Sequence, residues 1–154
     1  MRKSIAVLEL ARLFLAVGTY TTESHPVLSL RVKAAVRRGA RLIVVDPRRI
    51  ELTSFATRWL PLRIGSDTAL FNAMARVIID ERLFDEGFVS EHTRGFEELR
   101  EHVRDFTPER AEEITGIPAA EIVAAAREYA TTRPASIIYT LGVTEHTCGV
   151  HNVQ

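Results

Sequence analysis

Short, continuous apolar runs alternate with longer amphipathic stretches along this chain. Leu13-Phe14-Leu15-Ala16-Val17 is apolar throughout and stops at Gly18, the pattern of a strand buried on both faces. From Pro26 the period becomes helical, with Val27, Leu30, Ala34 and Ala35 as apolar positions. Arg37 and Arg38 fall in the last turn of that helix and Gly39 follows as a C-cap. A second apolar run, Leu42-Ile43-Val44-Val45, ends at Asp46-Pro47-Arg48, so the first third of the chain predicts a parallel βαβ unit. Trp59-Leu60-Pro61-Leu62 predicts a shorter third strand, which its proline confines to an edge or to pairing on one side.

The middle of the chain is helical. After Gly65-Ser66-Asp67, the residues Ala69, Leu70, Ala73, Met74, Val77 and Ile78 make one stripe, with Asp67 or Ser66 as the cap. Further helices are predicted from Glu86 to about His92, from Phe96 to Val103, from Thr107-Pro108 to near Gly116, and from Ala119 to Thr132. Ala135 to Leu141 returns to strand character and runs into Gly142. No repeat, low-complexity tract or linker interrupts the series, so the expectation is one α/β domain over residues 1–154, a mainly parallel sheet flanked by helices.

Composition narrows the class of protein. The 154 residues are 46% hydrophobic and 26% charged, an ordinary globular balance, and the length suffices for a real core. Twenty Lys and Arg meet twenty Asp and Glu, so the basic excess of a nucleic-acid-binding domain is missing. No segment approaches the ~20 consecutive apolar residues of a membrane span. The run Ile5-Ala6-Val7-Leu8 behind Arg2 and Lys3 is broken by Glu9 and Arg12, and no small-x-small cleavage pattern follows. A cytoplasmic chain without membrane insertion is the expectation. The lone cysteine, Cys148, excludes an internal disulfide framework, a CxxC zinc site and a cysteine-ligated iron–sulfur cluster within this chain.

Ligands of open parallel sheets bind just beyond the carboxyl ends of the strands. Four segments fall there: Gly18 to His25, Asp46 to Arg49, Ile64 to Asp67, and Gly142 to Gly149. Gly18 allows positive φ and close backbone approach, and Thr19, Tyr20, Thr21 and Thr22 add donors, which suits either an anion cradle or an ordinary strand-to-helix turn. The segment is neither GxxxxGK nor GxGxxG. Asp46 sits where an acidic residue accepts from a ribose or base, with Arg48 placed to meet a phosphate; alternatively the two simply shape the Asp-Pro turn. Asp67 reads equally well as a helix cap. Glu145, His146, Cys148 and His151 cluster without a standard zinc spacing, and no orienting group marks Cys148 as a nucleophile, so no catalytic and no metal-ligating residue is assigned. His92 and His102 fall on charged helices and read as solvated surface.

These residues also carry a resemblance. Gly18-Thr19-Tyr20-Thr21-Thr22-Glu23-Ser24-His25-Pro26 resembles the G-S-N-x-x-E-x-H-P segment of molybdopterin oxidoreductases, and Leu42 to Arg48 resembles the V-D-P-R segment that follows it. Arg63 to Leu70 is similar to R-x-G-T-D-x-A-L, and Phe88-Val89 with Thr93 to Glu98 is similar to F-V-x-x-x-T-x-G-F-E-E. Phe106 to Glu109 matches Y-T-P-E, Ile114 to Pro118 matches I-T-G-V-P, and Leu141 to His146 resembles M-G-V-T-Q-H. The series runs in order over nearly the whole chain and is most similar to the catalytic (alpha) subunit of formate dehydrogenases, with periplasmic-type nitrate reductases next.

The resemblance implies a Rossmann-like three-layer domain, interior to a longer subunit, that holds one molybdopterin guanine dinucleotide of a bis-dinucleotide molybdenum or tungsten cofactor. Its partners would be the remaining domains of that subunit (an iron–sulfur segment and a C-terminal barrel) and electron-transfer subunits. Stoichiometric retention of cofactor by this chain alone is not expected. Carried over residue by residue, Gly18, Thr19, Tyr20 and Glu23 line the dinucleotide, and Val45, Asp46 and Arg48 hold the guanosine end. Ile64, Gly65 and Asp67 form the next wall, while Gly142 and Glu145 approach the pterin side. Tyr20 departs from the usual Asn, Glu145 from Gln, and His151 from a frequent Asp. The rival expectations are a stand-alone nucleotide-binding or interaction module, and a non-functional remnant.

Overall fold

A computed structural model describes residues 5–146 and 149–153. The chain divides into two compact units, Met1–Leu62 with Thr132–Gln154, and Arg63–Thr131.

Among the described residues of the first unit, four strands form an all-parallel sheet in the order β3-β2-β1-β4. They are β1 (Leu13–Val17), β2 (Arg41–Val45), β3 (Arg58–Leu60) and β4 (Ala135–Tyr139). Leu13 lies opposite both Arg41 and Ala135, and Val17 opposite both Val45 and Tyr139. Every residue of β1 is buried, which is why its sequence is continuously apolar rather than alternating. Pro61 directly follows β3 on the sheet edge, where its missing donor breaks no ladder. A 3-10 helix (Ile5–Leu10) precedes β1, and a second one (Glu51–Phe55) joins β2 to β3.

Between β1 and β2 run α1 (Thr21–Ser24) and α2 (Pro26–Arg37). Proline opens α2, and Gly39 follows its C-cap residue with φ +102°. The apolar face expected for α2 is corrected by the structure. Val27 and Leu30 are 59% and 66% exposed, and the buried side is formed by Ser29, Val32, Lys33 and Ala35. Two apolar stripes compete on this helix, and polar anchoring selects between them. The Ser29 hydroxyl meets that of Thr22 at 3.3 Å, and Lys33 Nζ donates to Glu51 at 2.7 Å, turning Val32 and Ala35 onto Phe14, Leu42 and Val44.

The second unit is helical: α3 (Asp67–Asp80), α4 (Glu86–His92), α5 (Phe96–Val103), α6 (Pro108–Thr115) and α7 (Ala119–Thr131). The expected stripe of α3 is buried through Ala69, Leu70, Ala73, Met74 and Val77, and α3 packs on α5, α6 and α7. Thr107 Oγ1 accepts from the Arg110 amide at 3.1 Å, and Gly116 ends α6 at φ +77°. Ser66 is the cap residue of α3, yet its hydroxyl donates back to the Arg63 carbonyl at 2.5 Å instead of accepting from the first turn. His92 and His102 are exposed on α4 and α5.

The chain returns to the first unit through β4. It then forms α8 (Leu141–Thr144) and α9 (Gly149–Val153), short helices that carry no periodic signal in the sequence. No helix among the described residues is long and apolar enough to cross a membrane.

Candidate functional site

Strand order locates the site. From β1 the chain steps to β2 and β3 on one side, whereas β4 lies on the other side of β1. The direction of winding therefore reverses between β1 and β4, and ligands of open α/β sheets enter at such a switch point. Gly18 ends β1 there and Gly142 follows β4. Gly18 has φ +50°, and a Cβ placed on it would lie 2.8 Å from the Gly142 carbonyl carbon. A Cβ on Gly142 would overlap the Gly18 carbonyl oxygen and lie 2.8 Å from Gly18 Cα. Both positions therefore require glycine for close backbone approach. The Thr140 hydroxyl donates to the Gly18 carbonyl at 3.0 Å, and the Gly18 amide donates to the Val45 carbonyl at 2.9 Å, so three strand ends are tied at one point.

Two hydroxyls beside this junction have no partner among the described residues. Thr19 and Thr21 are each 1% exposed, and among the described residues neither Oγ1 makes a hydrogen bond. Buried hydroxyls normally find partners, because an unmet one carries its full desolvation cost.

Asp46 closes β2, buried to 1% exposure. Its Oδ1 accepts from the Arg48 amide at 2.9 Å and from Arg48 Nε at 3.3 Å, while its carbonyl accepts from the Trp59 indole at 2.9 Å. The turn-shaping role of Asp46 is thus present, and Oδ2 accepts nothing from the described residues. The Arg48 side chain is largely exposed, with its guanidinium over the Tyr20 ring, 5.6 Å from the centroid. The Glu23 carboxylate raises the Tyr20 pKa, first by favouring the protonated phenol as a hydrogen-bond donor and then through its charge. Behind these groups the Lys33 ammonium holds the Glu51 carboxyl below its usual range, first through their hydrogen bond and then through its charge.

Val45, at the end of β2, is fully buried. Glu145 is exposed just after α8, and the neighbouring His146 Nε2 lies 2.8 Å from the Gly142 carbonyl. Ile64, Gly65 and Asp67 belong to the second unit: Ile64 is 81% exposed, Gly65 has φ +82°, and Asp67 is buried in the first turn of α3. Cys148 and the His151 side chain lie outside the described residues. Among those described, no group of three His, Cys, Asp or Glu could hold a metal. Thr140, Trp59 and the Lys33–Glu51 pair escape a sequence reading because each acts through a long-range contact that no local spacing marks. Thr21 is legible in the sequence only as one hydroxyl in a run of several.

The two units differ in charge. Residues 1–62 and 132–154 carry twelve Lys and Arg against five Asp and Glu; residues 63–131 carry eight against fifteen.

A parallel α/β sheet whose winding direction reverses between β1 and β4 places this unit in the doubly wound class. The molybdopterin oxidoreductase family model matches residues 1–154, and the chain belongs to that family. It is 43% identical to formate dehydrogenase H of Escherichia coli over 154 residues, covering all of this chain and 22% of that protein. It is 41% identical, with 100% and 23% coverage, to the F420-dependent formate dehydrogenase subunit alpha of Methanocaldococcus jannaschii. The solved acetylene hydratase from Pelobacter acetylenicus superposes with a TM-score of 0.82 at 42% identity, over 86% of this chain and 18% of that one. The chain thus spans about a fifth of the length of these relatives.

Proposed function

We propose that this chain is the guanine-dinucleotide-binding domain of a formate-dehydrogenase-like molybdopterin oxidoreductase, binding and orienting the cofactor while supplying no group to the reacting atoms. The observation that carries this reading is the switch point between β1 and β4, where Gly18 and Gly142 bring bare backbone together beside the buried hydroxyls of Thr19 and Thr21, which have no partner among the described residues. These residues fit the cofactor: buried hydroxyls without partners among the described residues can donate to phosphate oxygens. The exposed Arg48 beside Asp46 adds a cation at the same edge of the sheet.

When bound, the group supplies a two-electron molybdenum or tungsten centre. The roles of this chain are binding roles. Thr19 and Thr21 donate to the dinucleotide, Arg48 meets a phosphate through its free Nη groups, and Asp46 Oδ2 accepts from the N1–H and 2-amino group of guanine. Tyr20, Glu23 and Val45 line the same edge; Gly142 and Glu145 bound it on the pterin side. Ile64, Gly65 and Asp67, in the second unit, keep their cofactor-binding assignment on the strength of the motif resemblance alone. Residues 1–154 act as one functional domain in a longer subunit, alongside an iron–sulfur segment, a barrel domain and electron-transfer subunits.

Calorimetric titration of GDP and ADP into the chain tests this. GDP is expected to bind more tightly than ADP, and Asp46→Asn, which turns the Oδ2 acceptor into a donor or removes the charge holding Arg48, should erase the preference at a cost of about 1–3 kcal/mol. A wild type that does not prefer GDP refutes the reading. So does a folded Asp46→Asn variant with the preference intact.

A further inference from the structure

Tyr20 stands where the motif it resembles carries Asn, and its surroundings give it a different task. An amide there could donate to and accept from a ligand directly. The Tyr20 ring is instead half-buried against the core cluster of Phe14, Val32 and Leu42. What Tyr20 presents outward is a ring face, and the Arg48 guanidinium lies on it at 5.6 Å. Arg48 is further held through Nε, 3.3 Å from Asp46 Oδ1, while its two Nη nitrogens donate to none of the described residues.

We infer that Tyr20 is a positioning residue: its ring, packed against the core, forms with Asp46 a clamp that fixes the Arg48 guanidinium at the carboxyl edge of the sheet, leaving the Nη pair free for a phosphate. An arginine on an open edge samples many rotamers, and an oriented fork gives bidentate phosphate contact only when it is held. Stacking on the ring fixes its plane, the Asp46 carboxylate fixes its Nε edge, and those two constraints leave the opposite edge for the ligand. Tyr20 therefore acts through Arg48, where the resembled Asn would act on the ligand itself. The phosphate part of this inference rests on the nucleotide-binding reading; the clamp does not.

The test begins on the ligand-free full chain, by NMR of the Arg48 Nε–Hε group assigned through Arg48→Lys. The wild type should show a ring-current-shifted, ordered Arg48 signal, Tyr20→Phe should keep the shift, and Tyr20→Leu should move the signal to the position of a free arginine. Tyr20→Met replaces Tyr20→Leu if the latter does not fold, as judged by circular dichroism. Titrations with GDP and with pyrophosphate follow. Removing the ring should raise both dissociation constants by about two- to fivefold, the worth of one cation–π contact. The same change in an Arg48→Ala background should cost nothing further. An Arg48 signal already free in the wild type overturns the clamp, as does one unmoved by loss of the ring, or an undiminished ring effect once Arg48 is gone. An ordered, ring-shifted Arg48 in a chain that binds neither ligand supports the clamp and refutes the nucleotide reading.

Discussion

The contact between Gly18 and Gly142 makes a strong quantitative claim, because two separable costs meet there. Gly18 adopts φ +50°, so an alanine incurs the left-handed penalty of about 1–2 kcal/mol. Its Cβ also meets Gly142 backbone at 2.8 to 3.1 Å, and backbone cannot rotate away as a flexible side chain would, which adds about 1–3 kcal/mol of overpacking. Gly142 shows no positive φ, so Gly142→Ala isolates the steric part, about 1–3 kcal/mol, arising against Gly18. Gly39, with φ +102° and nothing within 4 Å of where a Cβ would stand, isolates the dihedral part, about 1–2 kcal/mol. The expected order of stability loss is Gly18→Ala first, with Gly142→Ala and Gly39→Ala each smaller. Trp59 is the chain's single tryptophan and lies on β3 of this unit, so urea unfolding followed by its fluorescence reports on the right structure. With an m-value of about 2 kcal/mol per molar, Gly18→Ala should lower the midpoint by ~1–2.5 M. The Gly18→Ala/Gly142→Ala double variant should cost less than the sum, since a junction already forced apart accepts the second methyl more cheaply. Equal losses for Gly18→Ala and Gly39→Ala, or a Gly142→Ala variant as stable as wild type, would show that the two backbones do not touch.

In the second unit, Thr107→Ala removes the hydroxyl that accepts from the Arg110 amide and should cost about 1 kcal/mol by thermal melting, with Thr107→Asp recovering most of it. Glu81 is held below the usual carboxylate range, first by its hydrogen bonds from Arg127 and then by that charge. Its contribution is therefore full above the ordinary carboxylate pKa and is lost as pH falls through the lowered value; Arg127→Gln should shrink the acid-side loss of stability, and an unchanged acid limb would count against the pair. Lys33→Met should return Glu51 to ordinary carboxylate titration, read by side-chain carboxyl NMR, because the Lys33 hydrogen bond is the leading cause of its depression. A Glu51 midpoint that does not rise contradicts that assignment.

Much of the architecture is legible in the sequence because burial writes itself into composition. A strand buried on both faces is apolar without interruption, so β1 and β2 stand out, and Pro61 marks the sheet edge. Helix ends are equally plain where local chemistry sets them, as at Thr107-Pro108 and Gly116. Legibility fails where tertiary contacts choose between local alternatives. The buried face of α2 carries Ser29 and Lys33, which no hydrophobic periodicity would select, because their partners Thr22 and Glu51 come from other elements. Short helices such as α1 and α8 bury too little for a periodic stripe to appear at all.

The site divides along the same line. Gly18, Asp46 and Gly142 can be placed from their positions after apolar runs, since strand order brings carboxyl ends to one edge. What those residues do to one another cannot. Asp46 has two readings in the sequence, turn-former and acceptor, and the structure reconciles them by engaging Oδ1 with Arg48 and leaving Oδ2 without a partner among the described residues. Charge misleads for a related reason. A net charge of zero averages over a first unit rich in Arg and Lys and a second rich in Glu and Asp, and an average carries no information about either part. A polyanion approaching the switch point responds to the charges within about a Debye length, some 8–10 Å, so individual side chains such as the exposed Arg48 at the end of β2, not the neutrality of the whole chain, decide whether an anion is drawn to that edge.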